Sequence, residues 1–137
     1  MSILTDIKDG LRTRLETISG LRVYNQPMDS VNQFPAAIVL TERVDHSLAF
    51  GGTAMQGSHR VIYFSDGAVT EQSIRDMDTL LHPGNSSSVP RAIYGDRTLG
   101  GNVDGVVSVS AENIGVRVLP DSNAVVGADF VVRWMRS

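Results

Sequence analysis

The chain has 137 residues, of which 42% are hydrophobic and 20% charged, with a net charge of −3 and no cysteine. This size suits one domain that buries roughly two-thirds of its unfolded surface, so it needs no disulfide or metal staple. The missing cysteines exclude thiol catalysis, Cys-ligated zinc and iron–sulfur chemistry, and a pI near 5.5 argues against a protein built mainly to grip nucleic acid. No apolar run reaches the roughly 18 residues of a membrane span. The start, Met1-Ser2-Ile3-Leu4-Thr5-Asp6, carries neither the basic residues nor the apolar stretch of a secretion signal. The expectation is a soluble protein of a cytoplasm-like compartment.

Ile3, Ile7, Leu11, Leu15 and Ile18 recur at helical spacing, with Ser2 as the expected cap and Gly20 in the C-cap position. Gly10 falls inside this helix, at a propensity cost of about 1 kcal/mol relative to alanine. Leu21-Arg22-Val23-Tyr24 reads as a short strand, and Ala36 to Asp45 as a strand running from core to edge. His59 to Ser65 is the next strand. Between these two, Asp45–Ser58 is too long and glycine-rich for a tight turn and is expected to form an extended hairpin loop. Thr70 opens a helix with Ile74, Met77 and Leu81 on one face, and Pro83-Gly84 stops it. Ser88 and Pro90 start a short helix carrying Ala92, Ile93 and Tyr94. Val106–Val118 and Val125–Trp134 are the closing strands, joined by a hairpin turn at Pro120-Asp121-Ser122-Asn123. The order α-β-β-β-α-α-β-β predicts one α+β domain over residues 1–137. It combines a mostly antiparallel sheet, an N-terminal helix, a central helix pair and one long hairpin loop.

No catalytic constellation emerges. Gly52-Thr53-Ala54-Met55-Gln56-Gly57 has the glycine spacing of a P-loop, but Ser58 and His59 follow where Lys and Ser or Thr are required. The histidines His46, His59 and His82 lack metal-ligand spacing, although His46 and His59 flank the hairpin loop as a candidate pair. Otherwise they read as solvated loop polars, with His82 complementing a helix end. Asp76 and Asp78 point to different helix faces, and Glu71 with Arg75 reads as i, i+4 surface support. No Gly-x-Ser-x-Gly elbow occurs. Asn85-Ser86-Ser87 matches a glycosylation acceptor that has no meaning without secretion. Eleven of the twelve basic residues are arginines, and they are dispersed along the chain.

Four stretches carry a resemblance to a known family. They are Leu15 to Tyr24, with Gly20-Leu21-Arg22-Val23-Tyr24 stepping from helix to strand; Phe34-Pro35-Ala36-Ala37-Ile38-Val39; Val89 to Asp104; and Val126 to Val132. The third is the most specific, a short helix followed by Asp96-Arg97-Thr98-Leu99-Gly100-Gly101-Asn102-Val103-Asp104. The chain resembles the tail terminator, or tail completion, proteins of long-tailed bacteriophages. The resemblance implies a structural virion protein, related in fold to tail-tube subunits, that is neither an enzyme nor a cofactor carrier. It implies a homo-hexameric ring that caps the tail tube, meets a head-completion or connector protein, and lets DNA pass without specific binding. Its place would be the head-proximal end of the tail, after assembly in the host cytoplasm. Phe50, Gly51, Gly52, Met55 and Gly57 of the hairpin loop are the candidate inter-ring contacts, with apolar anchors and glycines that permit ordering on binding. The strand 36–45 and the last strand are the expected unguarded sheet edges. Rival readings are a tail-tube or head-completion connector protein, or a small α+β ligand-binding or regulatory domain.

Overall fold

The computed structural model describes residues 3–18, 21–24, 36–47, 54–65, 72, 74, 75, 77, 81, 88–118 and 124–136. Helix α1 spans Ile3–Leu15, followed by strands β1 (Arg22–Tyr24), β2 (Ala36–Ser47) and β3 (Ala54–Phe64). Helix α2 spans Val89–Tyr94, and strands β4 (Gly105–Val118) and β5 (Ala124–Arg136) complete the chain. Gln72, Ile74, Arg75, Met77 and Leu81 are also helical. The fold is α+β, as the order of elements predicts.

The five strands form one sheet in the order β1-β2-β3-β5-β4, antiparallel except for the parallel β1–β2 pair. Alternation along each strand divides the sheet into two faces. Val39, Val61, Ala128, Phe130, Val132 and Trp134 point to the helical side. There they join Ile7, Leu11, Leu15, Met77 and Ile93 in the main core. A smaller apolar cluster of Ile38, Phe64 and Val125 lies on the opposite face. Of the expected stripe, Ile7, Leu11 and Leu15 on α1 are buried, and Ile18 is buried just beyond the helix end. Ser2 and Gly20 lie outside the described residues. Met77 is buried and Leu81 half-buried, but Ile74 is 45% exposed, so the predicted face there is narrower than its spacing suggested. Ser88 caps α2, accepting a hydrogen bond from the Arg91 amide, with Pro90 in the first turn where no backbone donor is missed.

Three features depart from the sequence expectations. First, the β2–β3 hairpin is longer than predicted. The ladder continues through Asp45↔Gln56, His46↔Met55 and Ser47↔Ala54, so Met55 and Gly57 are strand residues. Two flanking strands supply the reason, since Met55, Gln56 and Gly57 also pair with Arg136, Met135 and Trp134 of β5. Second, His46 and His59 are not a facing pair: His46 is opposite Met55, and His59 is opposite Thr41. Third, one of the two expected edges is elsewhere. The last strand, β5, lies between β3 and β4, so the long edge strand at that end is β4, whereas β2 is flanked by the short β1 only over Ala36–Ile38. Hairpin order along the chain does not fix spatial order, because β3 pairs across the helical segment with β5.

The link from α2 to β4 is held by its own hydrogen bonds. The Asp96 carboxylate accepts from the Thr98 hydroxyl (2.7 Å), the Thr98 amide (3.1 Å) and the Gly100 amide (3.0 Å). The hydrogen bond from the Thr98 hydroxyl, followed by those from the Gly100 and Thr98 amides, lowers the pKa of Asp96. Leu99, Gly100 and Gly101 then take positive φ in succession, which turns the buried Leu99 side chain into the core. Asn102 ties the loop to α1 by donating from Nδ2 to the carbonyls of Leu99 (2.8 Å) and Asp6 (3.0 Å). The stretch that carries the most specific sequence resemblance is therefore a rigid architectural joint.

Candidate functional site

The polar half of the sheet face opposite the helices is built around Arg60 on β3. Its guanidinium pairs with Glu42 on β2, with Asp129 on β5 at 2.8 Å and with Glu112 on β4 at 2.6 Å. One cation thus joins four strands. Asp129 also accepts from Arg117 at 2.8 Å and from Asn113 Nδ2 at 3.2 Å. Burial works against the charge of Arg60, yet the hydrogen bonds from Glu112, Glu42 and Asp129 outweigh it and raise the pKa further above the ordinary arginine value. Strand alternation sets Glu42, like Ile38 and Leu40, on the face of Arg60, and Glu112 directly opposite Asp129. The register shift beyond Glu42 sets Arg43 opposite Ser58 on the same face, and the shift after Glu112 is accommodated by Asn113 at positive φ.

Towards the hairpin, the same face opens into a shallow groove of about 240 Å³ bordered by Arg43, Asp45, Gln56, Ser58, Arg133 and Met135. Arg43 pairs with Asp45 at 3.0 Å, and Arg133 donates to the Ser110 hydroxyl at 3.1 Å. Among the described residues, no three histidine or carboxylate side chains group to hold a metal. No helix among them is long and apolar enough to cross a membrane.

The second surface is the outer edge of β4. Its first part is covered: Val106 exchanges hydrogen bonds with Arg97, and the Val109 amide donates to the Tyr94 hydroxyl. Arg97 stacks 5.3 Å from the centre of the Tyr94 ring, which fixes that cover in place. From Ser110 to Val118 no described strand pairs with this edge. Exposed apolar side chains accompany it, namely Ile114 (48%), Val116 (55%) and Val118 (73%). At the other end of the sheet, β1 covers only Ala36–Ile38 of β2, so Val39–Ser47 forms a second free edge of matching length among the described strands.

No family model and no curated protein matches this chain.

Of the candidate contact residues, Met55 and Gly57 lie in β3, and Phe50, Gly51 and Gly52 lie outside the described residues. Gly57 has a structural reason, because a Cβ there would lie 2.3 Å from the Arg43 carbonyl oxygen. His59, expected as a solvated loop polar, is fully buried. Sequence reasoning also missed the Arg60 network, whose members are scattered over four strands. The signals available were charged residues inside otherwise apolar strands, Arg60 beside Val61-Ile62 and Asp129 between Ala128 and Phe130. A charge in such a place needs a partner.

Proposed function

We propose that this chain is a tail-terminator-like subunit of a long-tailed bacteriophage: a structural protein that assembles as a hexameric ring on the end of the tail tube. The ring offers the surface to which the head-completion protein attaches, and DNA passes through its lumen. The observation that carries this reading is the pair of edges, Val39–Ser47 and Ser110–Val118, that no described strand pairs with at the two ends of the sheet. The four long strands β2, β3, β5 and β4 alternate in direction. A second copy whose β2 is set beside β4 continues that alternation as an antiparallel pair. Such a head-to-tail contact closes into a ring when its rotation divides a full turn. Exposed apolar edge strands are a liability in a monomer and are protected when a neighbour pairs with them.

The resemblance over Val89 to Asp104 supports the same reading, and that stretch positions the start of β4, with Asn102 bonded to Asp6 of α1 and to Arg136 of β5 and the Asp104 amide donating to Met135. The residues between β2 and β3, including Phe50, Gly51 and Gly52, are the proposed contact with the adjoining ring. The decisive experiment mixes the purified chain with phage tail tubes and images the product. Discrete rings seated on one tube end support the terminator. Long tubes formed by the chain alone favour a tail-tube protein instead. Replacing residues 48–53 with a two-residue turn should leave rings intact and prevent docking, and unchanged docking removes this loop from the reading.

A further inference from the structure

The two unpaired edges are equal in length, and each has a stop at one end. On β2 the edge begins after Ile38, where β1 ends with Tyr24, and runs to Ser47. On β4 it begins after Val109, whose amide donates to the Tyr94 hydroxyl at 3.1 Å, and runs to Val118. A strand laid beside β2 is blocked at β1, and one laid beside β4 is blocked at Tyr94. Set antiparallel in full overlap, Val39 of one copy lies opposite Val118 of the next, and Ser47 opposite Ser110. Sliding one way drives Val118 into β1 and the neighbour's hairpin into Tyr94. Sliding the other way leaves Val39 and Ser110 unpaired.

The side chains favour the same overlap. Ile114, Val116 and Val118 are exposed, yet Val116 pairs with Val126 of the main core, so alternation places all three on the helix side. In full overlap they meet Val44, Thr41 and Val39, which face that side too. Val39 belongs to the main core, Thr41 bonds to the buried His59, and Val44 lies opposite Gly57, where a Cβ would touch Trp134. Each strand also sets two successive side chains on the Arg60 face, Glu42 with Arg43 and Glu112 with Asn113. One such extra residue alone would turn the apolar side of one strand against the polar side of the other. Here the two extra residues lie next to each other across the contact and offset one another. Asp45 and Glu112 come opposite, each already held by an arginine, Arg43 at 3.0 Å and Arg60 at 2.6 Å. We infer that copies of this chain meet in this register, Val39–Ser47 of one on Ser110–Val118 of the next, with β1 and Tyr94 as the stops that fix it. The inference rests on the ring reading and adds to it the residue pairs of the subunit contact.

The chain has no cysteine, so introduced pairs report on the register directly. Val44→Cys/Ile114→Cys and Thr41→Cys/Val116→Cys are opposite pairs in the full overlap. Val44→Cys/Val116→Cys and Thr41→Cys/Val118→Cys are opposite only after a slip of two residues. Within one chain β2 and β4 are three strand spacings apart, roughly 14 Å, so any disulfide joins two copies. Assembled protein is oxidised mildly and run on a non-reducing gel, after urea unfolding has shown that each reduced variant folds. The first two variants should link into oligomers of up to six chains. The second two should link at least about five-fold less, because diagonal positions exceed disulfide reach. Linkage of the slipped pairs instead, or of no pair in variants that form rings, overturns the inference and leaves the ring reading standing. A wild-type chain that forms no ring in electron micrographs removes both.

Discussion

Trp134 donates its indole N–H to Nδ1 of His59 across 2.9 Å, and both side chains are sealed in the core. Because Nδ1 is the acceptor, the ring proton belongs on Nε2, 3.2 Å from the Thr41 hydroxyl. A second proton would oppose the Trp134 N–H directly. Burial, with a smaller contribution from the charge of Lys8, lowers the His59 pKa from 6.5 to about 4.

Stability should therefore depend on pH in a defined window. His59 is depressed in the folded state, so its contribution is complete above pH 6.5 and is lost as pH falls towards 4. The unfolded chain binds the proton first, which costs the fold roughly 3 kcal/mol by the bottom of that window. Urea unfolding of the wild type and of His59→Gln between pH 7 and 4 checks this. The variant should be less stable at neutral pH and should lose the added slope; identical slopes would remove His59 from the account.

Gly10→Ala should destabilise the protein, although alanine is the better helix former. The added Cβ would lie 2.5 Å from the Leu99 carbonyl oxygen, too close for any real contact. The expected cost is about 1–3 kcal/mol from overpacking, against a propensity gain of about 1 kcal/mol. Thermal unfolding gives the sign, and a raised melting temperature would contradict the close approach of α1 to this loop.

Arg60→Met should cost about 1–3 kcal/mol, because it leaves the buried Asp129 with Arg117 as its remaining cation and sets Glu42 and Glu112 unpaired nearby. Adding Asp129→Asn should recover part of the loss. A double-mutant cycle in urea measures the coupling, and additive losses would mean the two residues do not interact.

Val116→Lys and Val118→Lys should leave monomer stability within about 0.5 kcal/mol, since both side chains are more than half exposed. Self-association should fall sharply, because charges on an edge strand oppose pairing. Light scattering after size exclusion gives the oligomeric state. Assemblies that persist in the double variant would place the subunit contact somewhere other than the β4 edge.

Local pattern made much of this protein readable. The α1 stripe from Ile7 to Leu15, the capped start of α2 at Ser88 and the alternation of Ala128, Phe130, Val132 and Trp134 each follow from short-range chemistry, and each is buried or capped as that chemistry requires. The β2–β3 hairpin was harder. Gly51, Gly52 and Gly57 suggested a long loop, whereas β5 lends its partners to Met55 through Gly57 and makes strand of half of it. Glycine at position 57 marks the close approach of Arg43 and not a flexible tip.

Length, charge and the absence of cysteine described an acidic chain that folds without disulfides, and periodicity supplied its α+β class. Those are properties of neighbouring residues, so the sequence alone carries them. The placement of β5 inside the sheet, the exposure of β4, the burial of His59 and the gathering of Glu42, Arg60, Glu112 and Asp129 depend on strands far apart in the chain. Strand pairing is set by which long-range register buries the most apolar surface while satisfying backbone groups, and no local pattern encodes that choice. Glu42, Arg60, Glu112 and Asp129 acquired their meaning only when the sheet set them side by side.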